Sequence, residues 1–181
     1  MALNATVYAF EITLNDADRG VFERLEFRLA RHPSETAEYL ALRVLAYCLE
    51  QGEGLAFSRG GLSDPDSPAL EIRDLTGALQ SWIEIGSPDP ARLHRAAKAA
   101  RRVVVYTHKD VARLLERVAA AKVHRAGQIE IYAVDGDFLA QFVARLERRL
   151  RFDLAVTGGN LYLSLGEETL SGTVSQHRLD A

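Results

Sequence analysis

The chain has 181 residues, with 25 acidic and 22 basic side chains and a formal net charge of -3. That length suits one domain with a sizeable core, and a hydrophobic content of 48% argues against a disordered chain. The charge balance excludes a bulk positive field, so any nucleic-acid binding requires a local basic patch. Cys48 is the only cysteine, which rules out an intramolecular disulfide and a Cys-based zinc site. No apolar run approaches membrane-spanning length, and the first residues lack a signal-peptide pattern, so a cytoplasmic protein with no membrane partner is expected.

Tyr8, Phe10, Ile12 and Leu14 alternate with their neighbours and predict a strand. Asn15 to Gly20 is turn chemistry. Arg24, Glu26 and Arg28 then alternate with Leu25, Phe27 and Leu29, giving a half-buried strand that pairs with the first. A helix is predicted from Ser34, the candidate N-cap, to about Glu50. A short strand at Leu55–Ser58 and a Gly, Ser, Asp and Pro loop from Gly60 to Pro68 follow. Ala69–Arg73 and Leu79–Ile85 read as two strands around a turn at Thr76-Gly77.

Pro88-Asp89-Pro90 opens a second helix. Val103–Tyr106 is a continuous apolar run, as in a strand covered on both faces. A helix over about Asp110–Ala121, a strand at Gln128–Ala133 and a third long helix over Asp137–Leu150 come next. Strands near Leu154, Leu161–Leu163 and Thr173 end the chain. This order predicts a single α+β domain over residues 1–181. It comprises one mixed β-sheet with helices packed on it, an αβββαβ core at about 34–107, an N-terminal hairpin and C-terminal strands.

The helix–strand–strand–strand–helix–strand run matches the core order of the PD-(D/E)xK nucleases. Those enzymes hold a divalent cation with strand carboxylates and use a lysine to position water. Glu84 is the best strand carboxylate, at the end of its strand. The hairpin register puts Asp74 about 16 Å away, so Asp66, near the other end of the hairpin, is the preferred partner and Asp74 the second choice. Glu35 and Glu38 head one helical stripe with Leu42, Leu45 and Leu49, and Glu38 is taken as the assisting carboxylate. Gly86 stands where the lysine would be. Arg92 or Arg95, on the next helix, are the candidate phosphate clamps.

Ala30-Arg31-His32-Pro33-Ser34-Glu35-Thr36 with Glu38, Phe57–Ser63, Asp66-Ser67-Pro68, Asp74-Leu75-Thr76-Gly77 and Trp82-Ile83-Glu84-Ile85-Gly86 occur in this order. Together with Met1-Ala2-Leu3 and the first strand, they resemble the YaeQ family along nearly the whole chain. The resemblance implies a variant PD-(D/E)xK nuclease-like fold. It also implies that glycine after Glu84 is a family trait. The family commonly has lysine where Arg95 stands and an acidic residue where Ser67 stands.

The expectation is a nuclease-like protein with a Mg2+ or Mn2+ site, in which Asp66 and Glu84 are ligands, Glu38 assists and Arg92 or Arg95 clamps phosphate. The alternative is a non-catalytic nucleic-acid- or protein-binding regulatory module on the same fold.

Overall fold

The computed structural model describes residues 4–59 and 64–180, and the beginning of the Gly60–Pro68 loop and the Met1-Ala2-Leu3 motif lie outside them. The fold is α+β, with ten strands and four α-helices among the described residues. The chain forms two compact units, Met1–Ala41 with Val134–Val174, and Leu42–Ala133 with Ser175–Ala181. Among the described residues, no helix is long and apolar enough to cross a membrane.

In the first unit, β1 (Thr6–Asp16) and β2 (Val21–Arg31) form the expected hairpin, in register from Thr6↔Arg31 to Asp16↔Val21. The turn is closed by Asp16 Oδ1, which accepts from the Arg19 backbone N–H at 3.1 Å. β8 (Arg149–Thr157) runs parallel to β1, followed by the antiparallel strands β9 (Asn160–Leu165) and β10 (Glu168–His177). The strand order is β2-β1-β8-β9-β10. Phe10, Ile12, Leu14, Leu150, Phe152, Leu154, Leu161 and Leu163 point to one buried face. Helix α4 (Gly136–Val143) covers that face. Its Phe142 meets Phe152 edge-on with ring centroids 5.4 Å apart. A Cβ on Gly172 would lie 2.4 Å from the Phe138 Cβ, so only glycine allows this approach.

The second unit has the strand order β7-β6-β5-β4-β3. β3 (Leu55–Phe57), β4 (Leu70–Arg73) and β5 (Leu79–Ile85) form an antiparallel meander. β5, β6 (Arg102–Thr107) and β7 (Glu130–Val134) are parallel. They are joined through α2 (Pro90–Ala99) and α3 (Val111–Ala120). Leu93, Ala96 and Ala97 of α2 and Leu114 and Val118 of α3 pack on Trp82, Val103, Val105, Ile129 and Ile131. α1 (Ala37–Leu49), β3, β4, β5, α2 and β6 therefore follow the expected helix–strand–strand–strand–helix–strand order.

Two helix ends differ from the sequence reading. α1 begins at Ala37, and Thr36 rather than Ser34 caps it, with Oγ1 accepting from the Tyr39 N–H at 3.1 Å. The Ser34 hydroxyl is instead 2.6 Å from His32 Nδ1. α4 stops at Val143 instead of Leu150, because Arg149, Arg151 and Asp153 alternate with Leu150, Phe152 and Leu154 and belong to β8.

Candidate functional site

Glu84 and Trp82 are neighbours on the face of β5 that α2 covers, and each is 3% exposed. The Trp82 indole N–H donates to Glu84 Oε1 at 2.5 Å. The same oxygen accepts from Arg92 Nε at 2.6 Å. Arg92 lies in the first turn of α2, where Asp89 caps the helix by accepting from the Ala91 N–H at 2.8 Å. The other two guanidinium nitrogens donate to the carbonyls of Asp64 at 3.3 Å and Ser67 at 2.5 Å. Its charge also sits 5.9 Å from the centre of the Trp82 ring. One arginine thus ties a buried carboxylate, an indole and the 64–67 loop together.

Burial pushes the Glu84 carboxyl above its ordinary range, and the Trp82 and Arg92 hydrogen bonds and the Arg92 charge oppose that push without cancelling it. Gly86, at the position of the nuclease lysine, has φ +87° and donates its N–H to the Tyr106 carbonyl at 2.8 Å. A side chain there has open space but an unfavourable backbone. The turn that carries β5 toward α2 therefore selects glycine on conformational grounds.

The hairpin register follows the sequence reading: Leu70 pairs with Ile83, Arg73 with Leu79, and the Ala69 N–H donates to the Ile83 carbonyl at 3.1 Å. Asp74 sits at the turn. It accepts from Thr76 N–H and Oγ1, the Ala78 N–H and Gln80 Nε2, and these bonds, led by the Thr76 hydroxyl, hold its carboxyl below the usual range. In the Asp64–Ser67 turn, Asp64 accepts from the Asp66 N–H and the Ser67 hydroxyl, and these bonds, with the hydroxyl first, lower its pKa. Asp66 itself is exposed.

Glu38 belongs to the first unit and is exposed, whereas Glu35 is 3% exposed and accepts from the His32 N–H at 3.1 Å. Glu35, not the expected Glu38, is therefore the buried carboxylate of the pair, because residue 35 precedes the helix and folds back. Arg95 is exposed on α2. Arg125 is engaged elsewhere, closing the end of α2 through the Ala97 and Ala100 carbonyls.

A hard divalent cation needs several oxygen ligands. In the second unit, one oxygen of Glu84 already takes two N–H donors, one of them from a guanidinium, and both oxygens of Asp64 accept hydrogen bonds. Among the described residues, no group of three or more His, Cys, Asp or Glu is placed to hold a metal ion. The described donors do not fit the expected metal centre. The buried Cys48 offers no nucleophile either, since burial raises its thiol pKa well above the usual value.

The same unit holds a polar network that the sequence reading missed. Arg102 bridges Glu50 (2.6 Å) and Glu130 (2.8 Å), and the Tyr106 hydroxyl donates to Glu50 at 2.7 Å. Tyr106 stacks on Tyr132, with centroids 5.1 Å apart. The available signal was Arg102 and Tyr106 on one face of β6, with Glu130 opening the next parallel strand. Burial works against the Glu130 charge, but the Arg102 hydrogen bonds and charge outweigh it and lower the pKa. Stability from this group is therefore present above the ordinary value of 4.5 and is lost as pH falls through the lower folded value. Arg102→Met is expected to cost about 3 kcal/mol at pH 7, because it leaves the buried Glu50 without a counter-charge and Glu130 with only Arg178, 3.5 Å away. Urea unfolding at pH 7 and pH 4 checks this, and the acid-induced loss should shrink in the variant.

At the carboxyl edge of β5 and β6, Ser87, Lys109, Asp110, Arg113, Leu114 and Arg117 line a crevice of about 330 Å³. Arg117 donates to the Ser87 hydroxyl at 3.3 Å. Ligands of such sheets collect at this edge, and the cations here outnumber the single aspartate.

An α+β protein with a helix–strand–strand–strand–helix–strand run and a buried carboxylate paired with an arginine is the class these features define. The profile of the family described as YaeQ protein matches residues 1–174, and the chain belongs to that family. It is 32% identical over 165 residues to YaeQ of Escherichia coli (strain K12), covering 91% of each chain, and equally so to that of Salmonella typhi. The crystal structure of YaeQ protein from Pseudomonas syringae matches with a TM-score of 0.86 at 32% identity, covering 95% of both chains. That from Xanthomonas axonopodis pv. citri matches with a TM-score of 0.86 at 31% identity, covering 97% of this chain and 99% of the other.

Proposed function

We propose that the protein is a non-catalytic nucleic-acid-binding module on a PD-(D/E)xK nuclease-like fold. The observation that carries this reading is the Arg92–Glu84 pair, 2.6 Å apart and mostly buried. A hydrolytic centre of the nuclease kind needs a free carboxylate for the cation and a free cation for the phosphate. Here each group uses the other, and Arg92 spends its remaining reach on the 64–67 loop. The basic crevice by Lys109, Arg113 and Arg117 supplies the local positive charge that a chain of net charge -3 requires.

The second reading is a Mg2+- or Mn2+-dependent nuclease. It is favoured by the exposed Asp66 carboxylate and by Glu84 Oε2, which has no hydrogen bond among the described residues. Labelled DNA and RNA incubated with either cation separate the two. The binding reading expects no cleavage that Glu84→Gln abolishes, and binding that persists in EDTA. Metal-dependent cleavage lost in a folded Glu84→Gln protein would establish the nuclease instead. Failure to bind any oligonucleotide, with capture of a protein ligand, would shift the module to protein recognition.

A further inference from the structure

The β2-β1-β8 sheet of the first unit is buried on one face and open on the other. Alternation assigns Phe22, Arg24, Glu26 and Arg28 of β2, Ala9, Glu11 and Thr13 of β1, and Arg149, Arg151 and Asp153 of β8 to the open face. The charges are not evenly paired. Arg151 bonds Glu11 at 2.8 Å, and Arg24 lies 4.0 Å from Glu11 and 3.6 Å from Glu26. Arg28 and Arg149 are exposed and have no acidic partner among the described residues.

The register brings these two arginines into one row. Ala9 pairs with Arg28 on one side and with Arg149 on the other. Two strand spacings, about 10 Å, separate them. The floor between them is a methyl group, and a groove of about 560 Å³ runs over Ala9, Glu11, Glu26, Arg28, Arg149 and Arg151. Six residues further along, Phe22 pairs with Asn15, Asn15 with Ala155, and Ala155 with Tyr162. Phe22 is 65% exposed and Tyr162 40% exposed. The open face thus presents free guanidinium groups at one end and bare aromatic rings about 20 Å away.

Resting on the nucleic-acid reading above, we propose that this face binds a single-stranded nucleic acid, with Arg28 and Arg149 on its phosphates and Phe22 and Tyr162 stacked on its bases. The charge of the free row selects a polyanion, and the exposed rings select one with unstacked bases over a duplex or an acidic peptide. Glu11, Glu26 and Asp153 offset Arg24 and Arg151 and leave the middle of the face without net positive charge, so the strand is held at its two ends.

The test is fluorescence anisotropy of labelled single-stranded DNA and RNA 20-mers in EDTA, over a range of salt concentrations. Arg28→Ala/Arg149→Ala is expected to weaken binding at least tenfold and to reduce the log–log salt slope by about 1.4, or 0.7 per lost phosphate contact. Phe22→Ala/Tyr162→Ala should weaken binding about tenfold with the salt slope unchanged. Lys98→Ala, an exposed change on α2, should alter neither. All four residues on the open face are exposed, and thermal melting confirms that the variants fold. Wild-type binding that survives both double substitutions would overturn this site while leaving the nucleic-acid reading intact. Absence of binding by the wild type would overturn that reading itself. Equal competition by duplex DNA or poly-glutamate would overturn the single-strand assignment.

Discussion

Replacing Arg92 by methionine should destabilise the protein by about 3 kcal/mol at pH 7. The substitution keeps much of the side-chain bulk over Trp82 but leaves Glu84, with a side chain 4% exposed, without its counter-charge. It also releases the carbonyls of Asp64 and Ser67. The pH dependence gives the effect a signature. Glu84 already has a folded pKa above its ordinary 4.5, so its contribution to stability is complete below that value and declines as pH rises through the folded one. Loss of Arg92 raises the folded value further. The deficit of the variant should therefore be largest at neutral pH and smallest near pH 4. Urea unfolding at both pH values measures it. Adding Glu84→Gln should restore much of the loss at pH 7, because the buried charge is gone while an acceptor for Trp82 remains. A variant with the same deficit at both pH values would mean that lost packing, not the uncovered carboxylate, is responsible.

Gly54→Ala should cost more than about 3 kcal/mol, combining left-handed backbone strain with a collision. Gly54 has φ +83°, and a Cβ there would fall 1.9 Å from the Arg73 carbonyl oxygen. That oxygen is backbone, and the Arg73 N–H donates to the Gly54 carbonyl at 3.1 Å, so neither side can give way without breaking the β3–β4 junction. Gly77→Ala is the control. It shares a positive φ of 84° but meets nothing within 4 Å, so it should show only the conformational cost of roughly 1 kcal/mol. Similar losses in the two variants, read as shifts in the urea midpoint, would contradict the collision account.

These cases show which parts of the molecule were legible as sequence. The β4–β5 register was, because Thr76-Gly77 marks a turn and strand spacing is constant; it correctly separated Asp74 from Glu84. The order of core elements was legible from the change of hydrophobic period. Helix ends were less so. Arg149 and Arg151 fit a helical charge pattern as well as a strand, and only their pairing with Ala9 and Glu11 decides between them. Glu35 and Glu38 share a helical stripe on paper, but residue 35 lies in a turn that no periodicity describes. The candidate site was legible as a set of residue types. Arg92 could be placed beside the end of β5, but whether it would face a ligand or Glu84 depends on side-chain geometry. The Arg102 network joins Glu50, Arg102 and Glu130 across 80 residues of chain, a distance that local pattern cannot bridge.

Trp82 is the only tryptophan, and its indole N–H points at Glu84, so one resonance reports on the centre of the account. The direct measurement is a 15N–1H correlation spectrum of the wild type titrated with Mn2+, with Glu84→Gln run alongside. A centre closed by Arg92 predicts an indole signal that stays sharp at stoichiometric Mn2+ and moves in Glu84→Gln. Selective broadening of that signal at one equivalent of Mn2+, absent in Glu84→Gln, would show that the carboxylate is open to a cation and would contradict the account.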